Sequence, residues 1–189
     1  MSSRDNILKA VKKNQPESSL LPSLKGLSDM PDSFEDYKRV VEGLGAVVEE
    51  VVTEEDIIHA LDKHLPERKR TLDARSSIQQ EWIYEDPHQL EDVDVALVAG
   101  QLAVAENGAV WLTEQQMKVR ALPFITQHLV LIISRKNIIG TMHDAYEKIG
   151  GPETGFGVFI AGPSKTADIE QSLVLGAHGA KSLLVLVTP

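Results

Sequence analysis

Residues 162–168, with the sequence Gly-Pro-Ser-Lys-Thr-Ala-Asp, concentrate side chains that can hold an anion. They follow an apolar, strand-like run and precede a predicted helix, which Ser164 or Thr166 would cap. The unpaired N–H groups of a helix N-terminus, together with the ammonium of Lys165, attract a phosphate or a carboxylate. Asp168 would complete the cap or orient Lys165. The pattern suits a well-capped helix without a ligand equally well, so both interpretations stay open at this point.

His178 lies between Gly176-Ala177 and Gly179, where the same predicted helix ends and the last strand begins. Because a helix rises about 1.5 Å per residue, His178 is predicted roughly 15 Å from residues 162–168. The two groups therefore need not share a pocket within one molecule. The histidine suits either a ligand site or a helix C-terminus, where its charge would meet the helix dipole.

Glu106 precedes Asn107-Gly108, the strongest short-range signal for a β-hairpin. Turn chemistry alone explains the pair. Alternatively, Glu106 stands among apolar neighbours as a partly desolvated nucleophile or base. Arg120, close to a break in the pattern at Pro123, suits an anion clamp or a surface ion pair.

Several catalytic and metal-binding patterns are missing from the sequence. Neither the GxxxxGK[ST] spacing of a phosphate-binding P-loop nor the GxSxG elbow of a hydrolase occurs. His59, His64, His88 and His143 have no mutual metal-ligand spacing, so no metal site is predicted.

Composition narrows the class of protein. A formal net charge of -9 argues against a nucleic-acid partner, and the basic run at residues 68–70 is more typical of a solvated helix exit. The absence of cysteine excludes disulfides, thiolate metal sites and cysteine catalysis. No run approaches the roughly 20 apolar residues of a membrane span, and residues 1–15 lack the apolar region of a secretory signal. We therefore expect a cytoplasmic, soluble protein.

The chain divides into residues 1–31 and residues 32–189. Ile7, Leu8 and Val11 share one face of a short predicted helix, which Ser3 would cap. Residues 14–31 are rich in proline and serine, as is typical of a linker without regular structure.

Residues 32–189 alternate between strand and helix patterns. Ser33 or Asp32 would cap one helix, and a Thr53–Asp56 capping box would start another. Strands are predicted at residues 46–51, 93–100 and 128–134, a helix at 138–149, and a strand–helix–strand unit at 158–187. This order predicts an α/β fold with a largely parallel sheet, made mixed by the hairpin. Ligands of such sheets bind outside the carboxyl ends of the strands, where residues 162–168 are expected.

Three segments together resemble the LUD-domain proteins of the lactate-utilisation protein C (LutC/YkgG) type. Residues 162–187 resemble the family's GPS-[RK]-T-x-DIE…GxHGP…L signature. Residues 102–112 (LAVAENGAVWL) resemble its A-E-T-G-T segment, and residues 120–133 its R…LP…H segment. This chain has Asn107 and Ala109 in place of two threonines, and Ala180 in place of a proline.

The resemblance implies a Rossmann-like fold similar to the NagB/RpiA/CoA-transferase-like group, with helices on both faces of a mixed, mainly parallel sheet. It also implies a part in oxidising L-lactate to pyruvate, beside two partner proteins that carry Fe–S clusters. No cofactor is expected in this chain, which has no cysteine to ligate a cluster.

The leading hypothesis is therefore a non-redox subunit of an L-lactate-oxidising system that binds a small carboxylate or phosphorylated ligand. The candidate site residues are Ser164, Lys165, Thr166, Asp168, Arg120, Asn107 and His178 for the ligand, and Glu106 for acid–base chemistry.

Two other functions stay open. CoA transferases of the wider fold group use the Glu of a Glu-Asn-Gly motif as acyl nucleophile, and residues 106–108 resemble that motif, although no GxGGF-like oxyanion loop is present. A structural or regulatory module would dock a partner through its first helix. That helix, on its long linker, also allows exchange between protomers of a homo-oligomer.

Overall fold

The computed structural model describes residues 2–20, 31–75, 86–151, 155–169 and 172–189. Most of the predicted linker, residues 21–30, lies outside this range. The division into residues 1–31 and 32–189 stays a prediction.

Helices and strands alternate along most of the described chain. The α-helices are α1 (Ser3–Lys13), α2 (Phe34–Gly43), α3 (Glu54–His64), α4 (Glu114–Met117), α5 (Leu122–Ile125) and α6 (Met142–Ile149). Strands β1 to β6 are Val47–Glu50, Thr71–Asp73, Val95–Ala99, Leu102–Val104, Val110–Thr113 and His128–Ser134. Strands β7 to β11 are Ile138–Ile139, Gly157–Ile160, Lys165–Ile169, Ser172–Leu175 and Ser182–Thr188. Short 3-10 helices occupy Pro87–Leu90 and Arg135–Asn137.

The central sheet is parallel, which confirms the predicted α/β class. Among the described residues its strands lie in the order β1-β11-β6-β3-β2, and every neighbouring pair is parallel. Strand β6 begins at His128 and ends at Ser134, as its unbroken apolar pattern predicts.

Helices α2 and α3 cover opposite faces of this sheet. Tyr37 of α2 is fully buried in one core cluster with Leu131 of β6. Ile57 and Leu61 of α3 are buried in a second cluster with Val130 of β6. Successive side chains of a strand point to opposite faces, so neighbouring residues of β6 serve the two cores.

The mixed character of the fold lies in a second sheet, with the order β7-β4-β5-β8. Strands β4 and β5 form the predicted hairpin, with Gly108 at a φ of 71° in its turn. Strand β8 pairs antiparallel with β5, in a register that joins Val110 to Ile160.

The predicted helix after residue 162 is wrong. Residues 165–169 and 172–175 form the antiparallel strand pair β9 and β10, and β8 lies in the second sheet instead of beside β11. The ends of the hairpin are joined by backbone hydrogen bonds from Ser164 N–H to Ala180 O (2.8 Å) and from Gly176 N–H to Ser164 O (3.0 Å). In a helix, the backbone N–H and C=O groups of this segment would bond to one another within the helix. Here they bond to other segments, so long-range pairing overrides the local capping pattern.

Capping residues elsewhere mostly start the helices as predicted. Ser33 caps α2, and Thr53 forms a capping box with Asp56 at α3. Helix α1 is capped by Ser2 instead of Ser3, and all its residues are exposed. The helix predicted at residues 138–149 begins only at Met142, because Ile138–Ile139 form the short strand β7. Within the described ranges, no helix has the length and apolar composition needed to span a bilayer.

Candidate functional site

The GPSK turn (residues 162–165) and the ENG turn (residues 106–108) both pack on the C-terminal end of α2. A methyl group added to Gly108 would lie 3.2 Å from Leu44 Cδ1, and one added to Gly162 would lie 3.1 Å from Leu44 Cβ. The paired strands β5 and β8 lie directly after the ENG turn and directly before the GPSK turn. The close approach of two backbones to Leu44 explains why both positions are glycine.

Lys165 ties the GPSK turn to α2. Its exposed ammonium donates a hydrogen bond to the carbonyl oxygen of Leu44, the residue that caps the helix C-terminus. A cation at this end stabilises the partial negative charge of the unpaired carbonyls. An ammonium has three N–H donors, so this bond leaves two of them for a ligand.

Ser164 is held between the two ends of the β9–β10 hairpin. Besides its two backbone hydrogen bonds, its hydroxyl oxygen accepts the backbone N–H of His178 at 3.4 Å. A methyl group added to Gly179 would lie 3.4 Å from Ser164 Cβ, so the loop at residues 178–180 runs directly against the GPSK turn.

These residues line a cleft of about 290 Å³, which we call the turn cleft. Its walls are formed by Pro123, Phe124, Leu129, Phe159, Ile160, residues 161–165, residues 178–180 and Leu183. The cleft has a polar side, from the GPSK turn and His178, and an apolar side from the aromatic rings. Such a combination of apolar walls and a few polar groups is typical of a site for a small molecule.

The predicted separation of His178 from the GPSK turn is wrong. A hairpin returns the chain to its starting point, whereas a helix would have carried it roughly 15 Å away. His178 is therefore an exposed residue of the same cleft as Ser164.

The turn cleft also lies at the opposite edge of the parallel sheet from the one predicted. Leu129 and Leu183 are the second residues of β6 and β11, so the cleft adjoins the amino ends of these strands. The reason is that β8 belongs to the second sheet and delivers the GPSK turn to the end of α2, which directly precedes the start of β1.

The structure does not bring Glu106 into the turn cleft. Its side chain is exposed, in contrast to the desolvated position that a nucleophile would need, and its backbone N–H bonds to Gly140 O at 3.0 Å. The side-chain oxygen of Asn107 accepts the N–H of Ala109 at 3.0 Å. For Asn107 the observed contact is thus turn chemistry, as the local pattern allows.

Arg120 also lies away from the turn cleft. Its guanidinium makes two hydrogen bonds to the carboxylate of Glu114, at 3.0 and 2.9 Å, and its Cζ lies 5.3 Å from the ring centre of Phe156. Phe156 precedes β8 and the GPSK turn follows it, so the two are separated by the length of the strand, about 13 Å. Of the two alternatives for Arg120, an anion clamp and a surface ion pair, the structure shows the ion pair.

Thr166 and Asp168 belong to β9. Thr166 is half-buried and pairs with Val174 of β10, without lining the turn cleft. The side chain of Asp168 lies outside the described part of the structure. Within that part, no group of three His, Asp or Glu side chains is arranged to hold a metal ion.

Sequence patterns missed the apolar and backbone components of the site. Phe124, 42% exposed on the short helix α5, and Phe159 of β8 line the turn cleft. A proline break marks the position of α5, but nothing local indicates that Phe124 shares a cleft with residues 162–165. The carbonyl of Leu44 carries no side-chain signal at all.

Comparison with known proteins identifies the family. The model described as "LUD domain" matches residues 3–188. The chain belongs to the LUD domain family. This confirms the resemblance drawn from residues 102–112, 120–133 and 162–187.

Proteins named "Lactate utilization protein C" are among the relatives of this LUD-domain protein. The one from Shouchella clausii is 35% identical over 97 residues, which is 48% of this chain and 42% of the relative. The one from Geobacillus kaustophilus is 32% identical over 106 residues, 52% of this chain and 44% of the relative. The chain spans about half the length of the curated relatives it matches.

A solved structure supports the fold. The crystal structure of a DUF162 family protein from Deinococcus radiodurans superposes with a TM-score of 0.60 at 17% identity. The match covers 82% of this chain and 95% of the other. At this identity the likeness concerns the α/β architecture alone.

Proposed function

We propose that this protein is a non-redox subunit of a system that oxidises L-lactate to pyruvate. In this proposal the turn cleft binds a small carboxylate, and Fe–S proteins associate with the chain and take up the two electrons. The sequence contains no cysteine to ligate an Fe–S cluster, so in this proposal the clusters are held by other chains.

The relatives named "Lactate utilization protein C" support the metabolic part of the proposal. Family membership over residues 3–188 extends that support to the whole described fold. Since those relatives are aligned over about half of their own length, the reaction and the partners are inferred for this chain.

The convergence of Ser164, Lys165 and His178 on the turn cleft carries the ligand part of the proposal. The hydroxyl of Ser164 and the two remaining N–H groups of Lys165 are donors suited to a carboxylate. A volume of about 290 Å³ lies at the small end of ligand pockets, which favours a compact metabolite over a nucleotide.

Ligand binding is tested by thermal unfolding of the full chain with L-lactate, pyruvate and phosphorylated analogues. A ligand at about 100 times its dissociation constant stabilises the folded state by about 2.7 kcal/mol, so a clear rise in Tm is expected. The Ser164→Ala/Lys165→Met double variant should lose this rise. A Ser134→Ala/Lys148→Met variant, altered away from the cleft, should keep it.

Partner binding is tested separately by recovering the tagged full chain from native lysate. Co-purification of a protein with Fe–S absorbance, together with a growth defect on L-lactate when the chain is deleted, is the expected result. Recovery without any Fe–S protein, combined with normal growth on L-lactate, would reject the lactate role. If none of the anions tested raises the Tm, the ligand role is rejected but the lactate role is not.

A second candidate function is acyl transfer from CoA esters through Glu106. The observation that favours it is the packing of both the ENG and the GPSK turns on Leu44. Glu106 is exposed and lies outside the turn cleft, so it lacks the desolvation that would make it reactive. We therefore expect no acyl adduct by mass spectrometry after incubation with acetyl-CoA. An adduct on the Glu106 peptide that Glu106→Gln abolishes would support this candidate instead.

A further inference from the structure

A second cleft lies at the same edge of the parallel sheet, on the other face. It measures about 360 Å³ and is formed where the C-terminal end of α3 meets the amino ends of β3, β6 and β11. We call it the histidine cleft; its polar lining includes His64, Arg68, Asp94, His128 and Lys181. His128 and Leu129 are neighbours on β6, and they face the histidine cleft and the turn cleft respectively.

His128 is oriented by the adjacent strand. Its Nδ1 lies 2.6 Å from the hydroxyl oxygen of Ser182, its direct partner in the β6–β11 register. No hydrogen bond to its Nε2 is found among the described residues, so this nitrogen is the one available to a ligand. The ring is half-buried, and this burial, with the nearby positive charge of Lys181, lowers the pKa of His128.

The acidic residues of the cleft are largely engaged by backbone donors or solvent. The carboxylate of Asp94 accepts the N–H groups of Lys69 and Arg70, at 2.8 and 3.2 Å, which lowers its pKa. Glu67 is exposed. Among the described residues neither carboxylate is hydrogen-bonded to the side chain of His128 or Lys181, although the charge of Asp94 favours the imidazolium of His128.

The basic residues differ in how much they can offer a ligand. Arg68 is held by Leu65 O at 3.0 Å and by the carboxylate of Asp62 at 2.6 Å, so its guanidinium is already paired. His64 is turned to Glu49, with its Nε2 at 2.9 Å from that carboxylate. The side chain of Lys181 is exposed at the mouth of the cleft.

We propose that the histidine cleft is a second ligand site, which binds a small oxyanion between the ammonium of Lys181 and Nε2–H of His128. Ser182 keeps the imidazole in place. A phosphate-like and a carboxylate group share the chemistry that these donors recognise. The site is distinct from the turn cleft, so this proposal does not depend on the proposed function.

Binding has a defined pH dependence. In the free protein burial and the positive charge of Lys181 oppose protonation of His128, whereas the charge of Asp94 favours it. His64, Glu67 and Arg68 are the other titratable groups that line the cleft. A bound anion offsets the repulsion and favours the imidazolium. Affinity therefore rises as the pH falls through the pKa of His128.

The test uses the full chain and proton NMR of its histidine side chains. Sulfate and acetate are the probes, because each keeps its charge between about pH 5.5 and pH 8, the range in which histidine titrates. Added at constant ionic strength, the bound probe should raise the pKa of His128 by about one unit. A larger rise in the pKa with sulfate would indicate a tetrahedral ligand, and a larger rise with acetate would indicate a carboxylate.

Lys181→Met should weaken binding about tenfold, the loss expected for one charge-assisted hydrogen bond. Lys148→Met is the matched control, since it removes the same charge from exposed α6 and should leave affinity unchanged. Equal losses of affinity in the two variants would overturn the proposal, because a general effect of net charge would then explain them. An unchanged His128 pKa, or a shift confined to His178 of the turn cleft, would also overturn it.

Discussion

The backbone N–H of His178 points to the hydroxyl oxygen of Ser164 at 3.4 Å, although 14 positions separate the two residues in the chain. This contact joins the two ends of the β9–β10 hairpin and makes them walls of one cleft. The candidate ligand site is therefore built by a hairpin that closes on itself beside the C-terminal end of α2.

Ser164→Ala tests the hydroxyl at the centre of this arrangement. We expect affinity for the turn-cleft anion to fall about tenfold or more, because one donor to a charged group is lost. The free energy of unfolding should change by less than about 1 kcal/mol, since the hydroxyl is half-buried and its bond is long. Calorimetric titration and urea unfolding measure the two effects. A large loss of stability with unchanged affinity would assign Ser164 a structural role only.

Lys165→Met tests the bond between the GPSK turn and α2. Removing the cation from the carbonyl of Leu44 should lower the free energy of unfolding by about 0.5–1 kcal/mol. High salt should shrink the difference, because the lysine is exposed. Urea unfolding with and without salt measures it. Lys165→Arg, which keeps the charge, should recover most of the stability; failure of this rescue would argue against the capping role.

Gly108→Ala tests the packing of the ENG turn. The added methyl would lie 2.9 Å from Val41 Cγ2, and the φ of 71° is unfavourable for alanine. A loss of about 1–3 kcal/mol in the free energy of unfolding is expected. Gly43→Ala in α2 is the control, because nothing lies within 4 Å of its added methyl. There the helix propensity of alanine should stabilise by up to about 1 kcal/mol. Similar losses at both sites would contradict the packing argument.

Glu49→Gln tests the acid sensitivity of the fold. Hydrogen bonds from Lys63 and then His64 hold the pKa of Glu49 below its ordinary value of 4.5. A carboxylate with a lowered pKa stabilises the folded state above the unfolded-state value, and this stabilisation is lost as the pH falls through the folded-state pKa. The wild type should therefore exceed the variant by up to about 1 kcal/mol near neutral pH, and the difference should vanish in acid. Urea unfolding across this range measures it, with Glu147→Gln on exposed α6 as control. A difference that does not depend on pH would contradict the mechanism.

Local signals in the sequence were sufficient for much of the scaffold. The apolar run of β6, the Asn107-Gly108 turn and the Thr53–Asp56 capping box each use interactions between residues close in the chain. Their outcome depends little on the rest of the fold, so it can be predicted from residue type and spacing.

Strand pairing could not be predicted in the same way. Residues 162–168 carry a capping pattern that also suits a turn, and the choice between helix and strand depends on partners elsewhere. Because β8 pairs with β5, the segment after it is delivered to α2 and bonds to Ala180. Propensity is a weak prior where such long-range pairs are available.

The sequence by itself determined the family, the α/β class, the hairpin and the identity of Ser164, Lys165 and His178 as chemically useful residues. Only the tertiary structure decided that these three share one cleft, that Glu106 and Arg120 stay outside it, and that it lies at the amino edge of the parallel sheet. The physical reason is that the type of a side chain is local, whereas its neighbours are chosen by backbone pairing between distant segments.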